Sequence, residues 1–263
     1  MTRRARIAGL GAVGIVGALA MWLTMPAAAV QQGASLTGQA STSRGDIHGQ
    51  GSATSTNWAG YAATGTTFTD VTGTWTEPPV SCTGQQQYAA FWVGLDGFTT
   101  GGSSQVEQVG TDSDCTPGKK KGGPSYYAWF DLYPAVFHEF PAHSCTVSPG
   151  DTVTGEVSSS GGQFTLRISD VTQGWSCSAE QSTQAPGSSA EWVVEDVFAK
   201  GSGKLTKISN FGTVDFSGAT ANGSAISSFQ NTQITMQVKH LVKVSTSPLG
   251  PDGSSFSLTW RHS

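Results

Sequence analysis

The sequence predicts an all-β protein, an antiparallel sandwich or barrel, and three observations carry that reading. Charged residues make up only 12% of the 263 positions, about half the roughly 25% of an ordinary globular chain, so the surface helix formers that a bundle needs are scarce. From Asn57 onward, short aromatic-rich stretches alternate with Gly, Ser and Pro, the spacing of strands joined by turns. No stretch of any length carries a helical apolar period, and no internal repeat is visible. Hydrophobic residues, at 37%, are numerous enough to bury a core.

The first element is an address. Arg3, Arg4 and Arg6 precede an apolar run from Ile7 to Met25, then Pro26 and the small residues Ala27, Ala28 and Ala29. The run could just span a bilayer, but its many Gly and Ala residues and an A-x-A cleavage site favour a removed signal peptide over residues 1–29. Removing its three arginines takes the net charge from −4 to −7. Nothing later is apolar over enough residues to cross a membrane, so a secreted, extracellular product with no further membrane association is expected. Residues 30–54 are Gln, Gly, Ser and Thr with almost no large apolar side chain, and read as a flexible leader or short pro-segment. One β domain then occupies residues 55–263, with candidate strands near 57–63, 68–76, 88–95, 104–110, 125–133, 151–158, 163–170, 190–199, 211–216, 232–245 and 255–260. The acidic balance and the absence of a basic block beyond Lys119–Lys121 exclude a nucleic-acid partner.

Export frames the cysteines. Cys82, Cys115, Cys145 and Cys177 form no C-x-x-C, which disfavours zinc, and in an oxidising compartment an even number reads as disulfides. Of the three possible pairings we expect sequence neighbours, Cys82 with Cys115 and Cys145 with Cys177, each stabilising by roughly 3–4 kcal/mol in the chain-entropy account. Asn222-Gly223-Ser224 is a weak glycosylation sequon.

Period-two alternation sorts residues by face. In Ser125–Tyr133, Tyr126, Ala128, Phe130 and Leu132 form a core face, while Tyr127, Trp129, Asp131 and Tyr133 share the other. Around Trp92, Phe91, Val93 and Leu95 oppose Ala90, Trp92, Gly94 and Asp96. An aromatic face carrying a few carboxylates suits a groove for an extended polymer, although ordinary sandwich packing also uses such rings. Residues 232–245 read as one long strand, with Ile234, Met236, Val238, His240, Val242 and Val244 on a single structural face.

Familiar hydrolase motifs are missing: no G-x-S-x-G, H-E-x-x-H or D-[ST]-G occurs. His138 and His143 are five apart with Pro141 between them, which fails the geometry of a zinc helix, so no metal is expected. Glu191 and Glu195 share a strand face but lie roughly 13 Å apart along it. That exceeds the roughly 5–9.5 Å of a glycosidase pair, so a glycosidase would need a partner from another strand.

Five segments in order, Asn57-Trp58-Ala59-Gly60, Trp92 to Gly97, Gln108-Val109-Gly110, Tyr127 to Pro134 and Ala190 to Asp196, resemble the eqolisin, or glutamic peptidase, family of secreted acid endopeptidases. The resemblance implies a jelly-roll or concanavalin-like sandwich of two antiparallel sheets, polypeptide substrates, no cofactor, and a bacterial-type member acting as a monomer. It places the catalytic dyad on Gln108 and Glu195, with Glu191 as the competing carboxylate. As carboxylate Glu195 would deprotonate the water and as acid protonate the leaving nitrogen, while the Gln108 amide stabilises the oxyanion. Trp92, Asp96, Trp129, Asp131 and Tyr127 fall at positions that line or support the cleft, and activity in acid is expected. Tyr127 stands where fungal members carry Asp, and Leu132 where they carry Trp. A glycan-binding sandwich or glycosidase using the aromatic face is the alternative reading, and a catalytically dead surface protein a third.

Overall fold

Alternating side chains and glycine-rich turns become sixteen strands among the residues that the computed structural model describes, 50–98, 105–117, 123–135, 137–197 and 205–263. In chain order they are β1 Gln50–Ser55, β2 Trp58–Thr64, β3 Asp70–Thr76, β4 Ala90–Leu95, β5 Val106–Cys115, β6 Pro124–Tyr133, β7 His138–Glu139 and β8 Thr152–Ser160. The second half supplies β9 Gln163–Asp170, β10 Trp175–Ser182, β11 Ala190–Glu195, β12 Thr213–Ala221, β13 Ser224–Ala225, β14 Gln230–Val238, β15 Leu241–Thr246 and β16 Phe256–Trp260. The signal segment and nearly all of the leader lie outside the described residues.

One hydrogen-bonded ladder runs β10-β9-β8-β3-β12-β16-β15-β14-β2-β11-β4-β5-β6-β7. It doubles over, so that β3, β8 and β9 lie against β4, β5 and β11. The result is a sandwich of antiparallel layers, in which β1 against β14 is the one parallel pair of described strands. Between the layers Trp75, Val153, Leu166 and Ile168 meet Phe91, Val93, Leu95, Trp192 and Val194 in the main core. On the outer face of the second layer a separate cluster gathers Trp58, Trp92, Trp129, Val193 and Ile234. The two faces read from alternation in 125–133 and around Trp92 are these two clusters.

Several local expectations change. The run 232–245 is a hairpin, not one strand: Lys239 takes a positive φ of 57°, and β15 returns from Leu241 to pair with β14. Its alternation runs through the turn unbroken, which disguises the reversal, and His240 is an exposed turn residue. Gln50–Ser55, assigned above almost wholly to the leader, forms β1, because parallel pairing with β14 uses backbone groups and asks nothing of side chains. β10 was not expected as a strand; it pairs only with β9 at the edge of the ladder, and just Trp175, Cys177 and Ala179 alternate toward the core, among Ser, Glu and Gln. Both disulfides join sequence neighbours as expected, Cys82–Cys115 and Cys145–Cys177. The Asn222 side chain staples a turn by donating to the Thr67 carbonyl at 2.9 Å and accepting the Thr69 N–H at 2.9 Å.

Two features behind the strands set what the second layer can carry. Glu77 is fully buried and accepts hydrogen bonds from the Thr111 and Ser113 hydroxyls, both at 2.5 Å, which pins the back of β5. Gly60 in β2 has φ 143°, and a Cβ there would lie 1.9 Å from the Trp192 carbonyl oxygen of β11. We expect Gly60→Ala to destabilise by about 3 kcal/mol or more, through backbone strain plus a broken β2–β11 contact. Denaturant unfolding of the variant beside the parent protein checks this.

Candidate active site

The outer face of the second layer is organised in rows across β6, β5, β4 and β11. One row runs Tyr127, Asp112, Ala90, Glu195; the next Trp129, Gly110, Trp92, Val193; the third Asp131, Gln108, Gly94, Glu191. The glycines are required by the rings beside them. A Cβ on Gly110 would meet the Phe91 carbonyl at 2.2 Å, Trp92 Cβ at 2.6 Å and Trp129 Cζ2 at 3.0 Å. A Cβ on Gly94 would meet Trp92 Cζ3 at 2.9 Å and Gln108 Cβ at 3.2 Å. The W-x-G and Q-x-G spacings therefore let Trp92 and Trp129 lie down along the sheet.

Trp92 occupies the position between Gln108 and Glu195. Its indole N–H donates to Glu195 Oε2 at 3.1 Å, while its far edge lies beside the Gln108 side chain over Gly94. The other Glu195 oxygen, Oε1, accepts from Asn57 Nδ2 at 3.1 Å. Trp58, edge-on to Trp92 with ring centroids 5.0 Å apart, brings its N–H near the same carboxyl without closing a hydrogen bond to it. Burial pushes Glu195 up to about 8, against the opposing pull of the Trp58, Asn57 and Trp92 donors.

Gln108 is buried, and its amide helps hold down the pKa of Asp131, which burial nonetheless raises to about 7. Gln108 Oε1, Asp131 Oδ1 and both oxygens of Glu191 have no hydrogen-bond partner among the described residues. Burial first, then the negative charge of Asp96 and Glu107, keeps Glu191 well above the ordinary carboxyl range. No hydrogen bond joins Gln108 to Glu195; they share a face, one on each side of Trp92. At the Glu195 end, the Tyr127 hydroxyl lies 2.7 Å from Asp112 Oδ2 and 2.8 Å from Asp114 Oδ2. A hydroxyl has one proton to give, and burial raises both carboxyls, which favours a proton on one of the two.

Of the residues singled out in the sequence, Trp92, Gln108, Tyr127, Trp129, Asp131 and Glu195 come together on this face. Asp96 does not. With φ 68° its carboxylate turns to the loop before β11, accepting the Gly187 N–H at 2.9 Å and the Ser188 N–H at 2.6 Å and hydroxyl at 2.7 Å. It fixes where β11 begins, and its full burial suits a supporting role. Asp112 and Asp114 were missed because the expected strand stopped at residue 110; carried to Cys115, the same alternation puts both on Gln108's side. Asn57, the first residue of the Asn57-Trp58-Ala59-Gly60 segment, joins the site through its contact with Glu195, which no local sequence pattern signals. Phe98, Tyr127, Tyr133 and Phe137, each half-buried, pack over this face, and Trp58, Trp92 and Trp129 beneath them are fully buried.

Comparison with known proteins gives a consistent picture. The family model described as Peptidase A4 family matches residues 56–257. Aspergillopepsin-2 of Aspergillus niger is 32% identical over 224 residues, which are 74% of this chain and 75% of that protein. The solved structure of aspergilloglutamic peptidase from the same organism is 28% identical with a TM-score of 0.52, over 66% of this chain and 99% of that one. Scytalido-glutamic peptidase with a peptide-based transition state analog has a TM-score of 0.64 at 22% identity, over 78% of this chain and 98% of that one, a likeness of fold.

The buried carboxyls make stability depend on pH. Burial raises Glu77 to about 7, Asp131 to about 7, Glu107 to about 8 and Glu195 to about 8. In the unfolded chain each loses its proton near pH ~4, so between there and about 8 the folded state holds more protons. Their contribution is fully present below the unfolded values and lost as pH rises through the folded ones. We expect the melting temperature to be highest near pH ~4 and to fall by roughly 10 °C or more by pH ~8, followed by circular dichroism. Glu77→Gln should reduce that fall, because its amide cannot ionise.

Proposed function

We propose that this chain, which belongs to the Peptidase A4 family and so is a glutamic peptidase that hydrolyses peptide bonds, uses Glu195 and Gln108 on one water held between them. The observation that carries this reading is the environment of Glu195. Among the acidic side chains of this face, it is the one whose two oxygens each accept an N–H hydrogen bond from a described residue. A carboxyl that must lose and regain a proton needs donors that steady its charged form. Glu191, equally buried, makes no such bond to either oxygen and has only the Ser189 hydroxyl and the Phe98 N–H nearby to favour its charged form.

The register supports a shared water. Two strand spacings of about 4.8 Å and four residues of about 3.3 Å put the Gln108 and Glu195 Cα atoms roughly 16 Å apart. Side chains reaching roughly 5 Å each leave a gap that one water fills with two hydrogen bonds of about 2.8 Å. Trp92 forms the floor beneath that gap.

Burial changes the order of proton transfers expected from the sequence. With Glu195 raised to about 8, the carboxylic acid is the resting form throughout the acid range. Glu195 therefore gives its proton first, to the scissile carbonyl oxygen, as the water adds to the carbon. The unpaired Gln108 Oε1 accepts a hydrogen bond from that water and orients it, while the second Gln108 N–H, the one not engaged by Asp131, serves the oxygen on which charge develops. The added water then returns a proton to the Glu195 carboxylate. Glu195 next protonates the leaving nitrogen, the carbon–nitrogen bond breaks, and a hydroxyl proton of the tetrahedral carbon restores the acid. No proton is gained or lost over the cycle. Activity falls on the alkaline side as Glu195 loses its resting proton. The signal-like first 29 residues and the two disulfides support export to the extracellular space.

Glu195→Gln and Gln108→Ala are each expected to lower kcat/KM on an unfolded protein substrate at pH ~4 by at least ~100-fold while keeping the parent circular dichroism spectrum. Glu191→Gln, replacing a group already neutral at that pH, is expected to stay within ~10-fold of the parent. Activity retained in Glu195→Gln but lost in Glu191→Gln would assign the proton transfers to Glu191 instead.

A further inference from the structure

We infer that Asn57 is the positioning residue for Glu195 and that Ser55 sets the direction of its amide, so that Ser55, Asn57 and Glu195 form a directed hydrogen-bond relay; this rests on the reading of Glu195 as the proton-transferring group. The relay begins in the tight connection between β1 and β2. Ser55 Oγ accepts the backbone N–H of Asn57 at 3.3 Å and of Trp58 at 3.1 Å. Its lone pairs are thereby engaged, and its single proton points to Asn57 Oδ1 at 3.2 Å. With Oδ1 committed to Ser55, the amide nitrogen must face the other way, where Nδ2 meets Glu195 Oε1 at 3.1 Å.

The backbone holds the relay in place. The Asn57 carbonyl accepts the N–H of Asp196, the residue after Glu195, at 2.8 Å. Asp196 is in turn held by the buried Lys243 ammonium and by the Thr206 hydroxyl at 2.9 Å. Ser55, Asn57 and Glu195 are all at most 4% exposed, so bulk water does not compete for these bonds. A flipped amide would set Oδ1 against a carboxylate oxygen and oppose ionisation; the Ser55 proton prevents that orientation. The relay thus fixes the carboxyl plane and eases formation of the charged form. The groups facing Glu195 are the Asn57, Trp58 and Trp92 donors, together with Asp112, whose negative charge acts in the opposite sense.

The experiment measures kcat, KM and the pH profile of kcat/KM for Asn57→Leu, Ser55→Ala and Ser55→Thr beside the parent and Glu195→Gln, at temperatures where each is folded by circular dichroism. Loss of the Asn57 donor should lower kcat by about 10–100-fold with KM little changed. It should also move the alkaline limb to higher pH, because the charged form of Glu195 has lost a partner. Ser55→Ala should shift both in the same direction by less, and Ser55→Thr, which keeps the hydroxyl, should restore the parent profile. Should Asn57→Leu fail to fold, the Ser55 pair decides alone. A lowered melting temperature with kcat and the limb unmoved, or Ser55→Thr behaving like Ser55→Ala, would overturn the relay. Should Glu195→Gln itself remain active, the reading of Glu195 fails and the relay with it; an inactive Glu195→Gln beside an unshifted Asn57→Leu would sink the relay alone.

Discussion

The structure depends on keeping one carboxyl group out of water without leaving it unpaired. Glu195 ends β11 on a face of indole rings, where a bare carboxylate would be prohibitively costly. N–H donors from the β1–β2 connection and from β4 compensate part of that cost. The glycines at 60, 94 and 110 follow from the same constraint. Two let the Trp92 and Trp129 rings lie flat on the sheet, and Gly60 lets β2 approach β11 closely enough to bring Asn57 to the carboxyl.

Acid conditions suit this arrangement for two connected reasons. In the proposed mechanism the Glu195 carboxyl rests in its protonated form, ready to donate, and the carboxyls around it, raised by the same burial, are neutral there too. A face carrying Asp112, Asp114, Asp131, Glu191 and Glu195 so close together would repel itself if all were charged. Tyr127 shows how the repulsion is managed locally: its hydroxyl lies between Asp112 and Asp114, two carboxyls whose burial favours the protonated form.

Much of this was legible in the sequence, and the remainder was hidden for physical reasons. Alternation in 125–133 and around Trp92 separated core from outer face correctly, because both faces of β4 and β6 are packed and each leaves its pattern. β1, with little to bury, left no pattern to read, and β10 left only the short alternation of Trp175, Cys177 and Ala179. The hairpin at Lys239–His240 was hidden because its apolar period passes unbroken through the turn. Asn57 lies 138 positions from its partner Glu195, a pairing that only the folded register creates. Asp96, a motif residue, turns with its positive φ to the loop before β11, an orientation that no sequence pattern announces.

The central claim is that the reacting carbon sits above Trp92, between Glu195 and Gln108. A crystal structure with a peptide analogue carrying a hydroxyl at its tetrahedral carbon tests this most directly. The account expects that hydroxyl within hydrogen-bond reach, about 2.6–3.2 Å, of both the Glu195 carboxyl and the Gln108 amide. A hydroxyl seated against Glu191, or touching neither member of the dyad, would contradict it.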